Sequence, residues 1–112
     1  MEKSKAKAIV AKAINDGGIT IENGEIARHT DGYQYADYGI STGDIEQAVK
    51  AVVRFNGNCG LWVDHGIIYI DHSIYQKDRE LALQFAREHD QLTIYEWSTG
   101  RCIDCATGQY SD

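Results

Sequence analysis

The sequence has no proline among its 112 residues, so no stretch reads as a stiff linker or a break between domains. Cysteine is sparse and odd in number: Cys59, Cys102 and Cys105 do not make the disulfide framework of a small secreted scaffold and are expected to be thiols in a reducing compartment. No apolar run approaches the ~20 residues a membrane helix needs. The opening Met1-Glu2-Lys3-Ser4-Lys5 lacks the basic, then apolar order of a secretory leader. These absences lead to the expectation of a cytoplasmic protein with a single domain over residues 1–105 and a polar C-terminal tail over residues 106–112.

Basic residues are the next scarcity. Eleven Lys and Arg stand against seventeen Asp and Glu, for a formal net charge of −6. Four of the eleven, Lys3, Lys5, Lys7 and Lys12, fall in the first 14 residues beside Glu2, which leaves seven against sixteen acidic residues in the remainder. An acidic body repels phosphate backbones, so no direct nucleic-acid partner is expected; a DNA-binding regulator would have to use the first helix.

What is present is a regular alternation of helical and strand patterns. Ala6, Ile9, Val10, Ala13 and Ile14 recur at helical spacing and Gly17-Gly18 stops the run, which predicts a helix over about 3–16. Ile19 to Glu22 alternates like a strand, Asn23-Gly24 is a hairpin turn, and Glu25 to Arg28 can return beside it. Tyr33 to Tyr38 predicts a strand closed by Gly39. Ser41 and Asp44 form a capping-box pattern before a helix with Ile45, Ala48, Val49, Val52 and Val53 on one face. Leu61 to Asp64 and Ile67 to Asp71 flank the turn His65-Gly66; a third helix starts at Asp78, a strand covers Leu92 to Trp97, and a short segment covers Arg101 to Asp104. The class is α+β: an antiparallel sheet with helices packed on it, in the ferredoxin-like βαββαβ order, preceded by an N-terminal helix and hairpin.

A two-residue turn at His65-Gly66 sets Val63 opposite Ile68 and Leu61 opposite Ile70, an aliphatic side that belongs to the core. The other side then carries Trp62, Asp64, Ile67, Tyr69 and Asp71, with Trp62 across from Tyr69. In the last strand Leu92 and Ile94 are expected to face the core, and Thr93, Tyr95 and Trp97 the opposite side. This aromatic and acidic face has three readings: a surface covered by the N-terminal helix, a protein-binding or dimer surface, or a stacking platform for single-stranded nucleic acid. The interleaved Asp64 and Asp71 disfavour the last. Trp and Tyr dominate protein-binding hot spots, so Trp62, Asp64, Tyr69, Asp71, Tyr95 and Trp97 are the predicted partner-binding residues.

Catalytic patterns are incomplete. Cys102-Ile103-Asp104-Cys105 has metal-ligand spacing without a second pair, and a structural zinc site needs about four ligands. Asp64-His65 and Asp71-His72 suggest paired acid-base or metal chemistry, but the tight turn holds the two aspartates roughly 13 Å apart along the hairpin. Neither Ser73 nor Cys59 stands in a nucleophile elbow. No catalytic residue, metal or cofactor is therefore assigned, and the chain is expected not to be an enzyme; a small metal- or thiol-dependent enzyme is the alternative.

Gly18-Ile19-Thr20-Ile21 leading to Asp31-Gly32-Tyr33, Gly60-Leu61-Trp62-Val63 followed by Ile68-Tyr69-Ile70-Asp71, and Asp78-Arg79-Glu80-Leu81-Ala82 ending in Asp90-Gln91-Leu92-Thr93-Ile94-Tyr95 resemble a family of small uncharacterised proteins encoded by bacteriophages, prophages and plasmids. The resemblance covers about residues 17–104, does not include the two C-terminal cysteines, and carries over no catalytic residue. It implies a mobile-element accessory protein of the anti-CRISPR or antirestriction kind. The partner it implies is a host defence protein or ribonucleoprotein complex, and an acidic, aromatic surface suits the basic channel of such a complex.

Overall fold

Three helices and seven strands follow one another in the computed structural model, which describes residues 1–111: α1 (Lys3–Asp16), β1 (Gly18–Glu22), β2 (Glu25–Ile26), β3 (Tyr33–Thr42), α2 (Ile45–Arg54), β4 (Cys59–Asp64), β5 (Ile67–Gln76), α3 (Arg79–Glu88), β6 (Thr93–Glu96) and β7 (Arg101–Asp104). The chain is α+β, with an antiparallel sheet in the order β2-β1-β4-β5-β3-β6-β7. Two tight turns set its registers. Asn23-Gly24 and His65-Gly66 have both central residues at positive φ (50° and 80°; 51° and 80°), the type I′ form whose twist matches that of the flanking strands. The second turn places Val63 opposite Ile68, Leu61 opposite Ile70 and Trp62 opposite Tyr69, the register the sequence predicts.

The chain forms two compact units, one of Met1–Ala27 and Gly39–Ser73, the other of Arg28–Tyr38 and the chain from Ile74. In the first, Ala6, Ile9, Val10 and Ala13 of α1 and Ala48, Val49, Ala51 and Val52 of α2 share a buried cluster with Ile21, Cys59, Leu61, Ile68 and Ile70. Full burial of an aliphatic such as Ile70 contributes about 1.5–3 kcal/mol. In the second unit, Ala82, Leu83 and Ala86 of α3 pack with Tyr35, Ile94, Ile103 and Cys105.

Helix caps follow side-chain chemistry. Asp44 Oδ1 accepts the Glu46 N–H at 2.9 Å, and Asp78 Oδ1 accepts the Leu81 N–H at 3.0 Å, each satisfying a helix-end donor. The cap of α2 is thus Asp44 itself, whereas the expected box begins at Ser41, which lies within β3. Gly39 likewise does not close β3; the strand runs on to Thr42, because glycine here makes room for a neighbouring side chain.

Leu92 corrects another expectation. It is 84% exposed rather than core-facing, since the pairing of β6 with β7 starts one residue later, at Thr93 opposite Asp104. Beyond β7 the chain turns back: Ile103 bridges to Tyr110, the Asp104 N–H donates to Gln109 O at 2.7 Å, and the Ser111 N–H donates to Cys102 O at 3.0 Å. Asp112, the last residue of the expected tail, lies outside the described residues.

Candidate aromatic and acidic binding face

Alternation along β4 and β5 gives the first unit two different surfaces. Cys59, Leu61, Ile68 and Ile70 point into the cluster that also contains α1 and α2. Gly60, Trp62, Asp64, Tyr69 and Asp71 therefore lie on the opposite side of the strands. The N-terminal helix packs on the aliphatic side and leaves the Trp62 side uncovered. Trp62 is 48% exposed and stacks on Tyr69 with ring centroids 4.4 Å apart and planes at 17°, an offset arrangement that holds both rings in place without burying them.

Two aspartates flank this stack in different surroundings. Asp64, at the turn, lies 2.8 Å from His65 Nδ1 and is exposed. Asp71 is half-buried, and its removal from solvent raises its pKa above the ordinary carboxylate value. The carboxylate sits against Gly39, where an added Cβ would overlap Asp71 Oδ1. That approach is the reason for a glycine inside β3. The hairpin register separates the two carboxylates, with Asp64 opposite Ile67 and Asp71 opposite Gly60.

Tyr95 and Trp97 belong to the second unit and are embedded in a cluster of its own. Their rings meet edge to face at 5.1 Å. His29 stacks on Tyr75 at 3.9 Å and meets the edge of Trp97 at 5.4 Å. Trp97 Nε1 donates to Oε1 of the buried Gln34 at 3.0 Å, and Tyr75 Oη donates to Asp31 O at 3.1 Å. The six predicted residues are thus divided, Trp62, Asp64, Tyr69 and Asp71 in one unit and Tyr95 and Trp97 in the other. His29, Gln34 and Tyr75 were not visible as neighbours of Trp97. Tyr75 continues the alternation Tyr69, Asp71, Ser73 along β5, a signal hidden by ending that strand at Asp71.

Two of the three thiols are held back by burial. Burial, with Asp71 nearby, pushes the Cys59 thiol up to about 12, so it stays protonated at neutral pH. Cys105 is buried beside Ile94 and Ile103 and its pKa is raised. Cys102 stands opposite Tyr95 within β7, whereas Cys105 lies just past the end of that strand. Among the described residues no group of three or more His, Cys, Asp or Glu could hold a metal ion. Glu96 accepts from Thr99 Oγ1 at 2.6 Å and Tyr110 Oη at 2.7 Å; these bonds, Thr99 first, hold its carboxyl below the usual range. The Arg101 guanidinium lies 3.8 Å above the Tyr110 ring centroid.

Two of the four lysines of α1 have acidic partners, Lys5 with Glu25 at 2.9 Å and Lys12 with Asp16 at 3.0 Å, which weakens the helix as a phosphate-binding surface. Among the described residues no helix is long and apolar enough to cross a membrane. No protein-family model, no curated protein and no solved structure matches the chain.

Proposed function

We propose that the chain is a non-catalytic binding protein that engages a basic protein surface through the open face of its first unit. The single observation behind this is the Trp62–Tyr69 stack, nearly half exposed at Trp62 and flanked by Asp64 and Asp71. A large aromatic left uncovered beside carboxylates has the composition of a hot spot that recruits cationic partners. The net charge of −6 adds long-range attraction to such partners. The protonated Cys59 and the separated aspartates support binding over chemistry. Resemblance to mobile-element proteins makes a host defence complex the partner of choice, with its basic nucleic-acid channel as the surface to be occluded. We read β3, α2, β4, β5, α3 and β6 as the ferredoxin-like core that carries this face; their succession and the neighbours β4-β5-β3-β6 support it.

The test is quantitative capture from a host lysate on immobilised wild-type protein, Trp62→Ala and Asp64→Lys, followed by nuclease assays on what is captured. The expected result is a host nuclease complex retained by wild type, inhibited by it, released as salt rises, and lost by both variants. Retention of the same proteins by all three would eliminate this face as the binding site.

A further inference from the structure

The outer edge of the sheet in the first unit is only partly covered. β2 pairs with β1 at Ile21 and Glu22, and one further bond runs from the Ala27 N–H to Thr20 O at 2.8 Å. Past that point β1 continues to Gly18, which is exposed. The ladder fixes which way Gly18 turns its polar groups. The Val63 N–H donates to Gly17 O at 3.0 Å, so residues 17, 19 and 21 bond toward β4, and Gly18 and Thr20 between them bond outward. The bond from Ala27 to Thr20 has that outward sense. Gly18 therefore directs its N–H and its C=O away from β4, and among the described residues neither is hydrogen-bonded.

The same residue leaves a gap on the open face. Gly18 stands directly opposite Trp62, in a pair of the non-hydrogen-bonded kind, whose side chains stand closest together. Across the strands Trp62 is flanked by Tyr69, on which it stacks, and by Gly18. One face of the indole is thus covered, and the other borders a position with no side chain. A Cβ at Gly18 would fall 3.4 Å from Trp62 Cβ, so a side chain brought there lies against the indole. An unbonded main-chain donor and acceptor match another strand, and a free ring face beside them matches a second ring.

We infer that the Gly18 edge receives an extended segment of the protein partner, which adds to β1 where β2 stops, exchanges two main-chain hydrogen bonds with Gly18 and lays an aromatic side chain over it against Trp62. This rests on the binding role proposed above and names the element recognised, a short strand with a ring at one position. Alternation puts the residue opposite Gly18 on the Trp62 side of the sheet, and the missing side chain lets its ring reach across, as aromatic neighbours cover edge glycines in other sheets. Two hydrogen bonds are a small anchor, so the ring carries the selectivity, and basic residues beside it add attraction to the acidic body. A second copy of this chain is a poor occupant. Pairing through Gly18 in both copies would leave the place beside Trp62 empty and join two bodies of net charge −6.

The probe is the peptide acetyl-Lys-Thr-Phe-Thr-Lys-amide, titrated against the full chain by NMR, with alanine in place of phenylalanine as the comparison. Saturable shifts of the Gly18 amide and the Trp62 indole N–H are expected, with solvent exchange of the Gly18 amide slowed about fivefold or more at saturation and the alanine peptide bound about tenfold more weakly. Gly18→Pro, a residue tolerated just past a helix C-cap, removes the outward N–H and should weaken binding about fivefold or more. Unchanged Gly18 exchange in the saturated complex, equal affinity for the two peptides, unchanged binding by a folded Gly18→Pro, or Gly18 protection that rises with protein concentration without peptide would each overturn the inference. The exchange and peptide comparisons use the wild-type chain and depend on no variant folding. Lysate capture separates its failure from that of the wider reading: partner retention lost in Trp62→Ala and kept in Gly18→Pro would leave the face as a binding surface and remove strand addition at its edge.

Discussion

Two aromatic pairs, both read from strand alternation, end in opposite circumstances. Trp62 and Tyr69 stack on each other with one side open and Trp62 48% exposed. Tyr95 and Trp97 meet edge to face inside a group completed by His29, Tyr75 and Gln34, with the indole N–H satisfied by Gln34. The same residue types therefore serve two ends: in the first unit, paired across two strands, they remain available to a partner, and in the second, two residues apart in the chain, they are engaged by neighbouring side chains. What decides is the segment that arrives from elsewhere in the sequence, here residues 28–34, which supply His29 and Gln34.

The largest expected effect separates the pairs by stability. Trp97→Ala removes a partly buried ring, its edge contacts with Tyr95 and His29 and its hydrogen bond to Gln34, and should cost about 2 kcal/mol, whereas Trp62→Ala should cost less than about 1 kcal/mol. Urea unfolding of the two variants measures this, and equal losses would erase the distinction between a structural and an available aromatic pair.

A smaller effect contrasts one carboxylate from each region. The folded protein holds Glu96 below the usual range through its bonds from Thr99 and Tyr110 and raises Asp71 by burial. A depressed carboxylate stabilises the fold above its unfolded pKa and loses that contribution as pH falls through its folded value. A raised one does the reverse, penalising the fold when ionised and relieving it as pH falls. Glu96→Gln should therefore destabilise by roughly 1.5 kcal/mol at neutral pH, with the deficit closing in acid. Asp71→Asn should match or exceed wild-type stability at neutral pH, with the advantage closing in acid. Urea midpoints at pH 7 and pH 3 test both signs, and a destabilised Asp71→Asn at pH 7 would mean that the carboxylate is a structural partner. The smallest expected difference is optical: acrylamide should quench Trp62 in a Trp97→Phe background more strongly than Trp97 in a Trp62→Phe background, and emission from Trp62 should lie further to the red.

Much of this architecture was legible because it depends on local chemistry. His65-Gly66 fixed the register of β4 and β5 and hence which side Trp62 and Tyr69 occupy. Asp78 marked the start of α3 and Gly17 the end of α1. The less legible features depend on contacts between distant residues. Gly39 was read as a strand end when it is the place where Asp71 needs space, and nothing near it in the chain announces that. Leu92 was placed in the core by periodicity, although the sheet pairing starts one residue later. Of the candidate site, the Trp62 side of the hairpin could be derived from alternation, and the seating of the Asp71 carboxylate over Gly39 could not, because it depends on which strand β5 meets on its other side.

The return of the chain after β7 has a consequence for association. The two ends of the sheet are β2, only two residues long, and β7, whose outer side is met by Tyr110 opposite Ile103. An unoccupied strand edge is a template onto which another chain can add, and short or covered edges suppress this. With Tyr110 also held by Glu96 and lying under Arg101, the C-terminal segment acts as a guard on the longer of the two edges. Cutting the chain after Asp104 would uncover it, and the first symptom would be loss of solubility through strand addition.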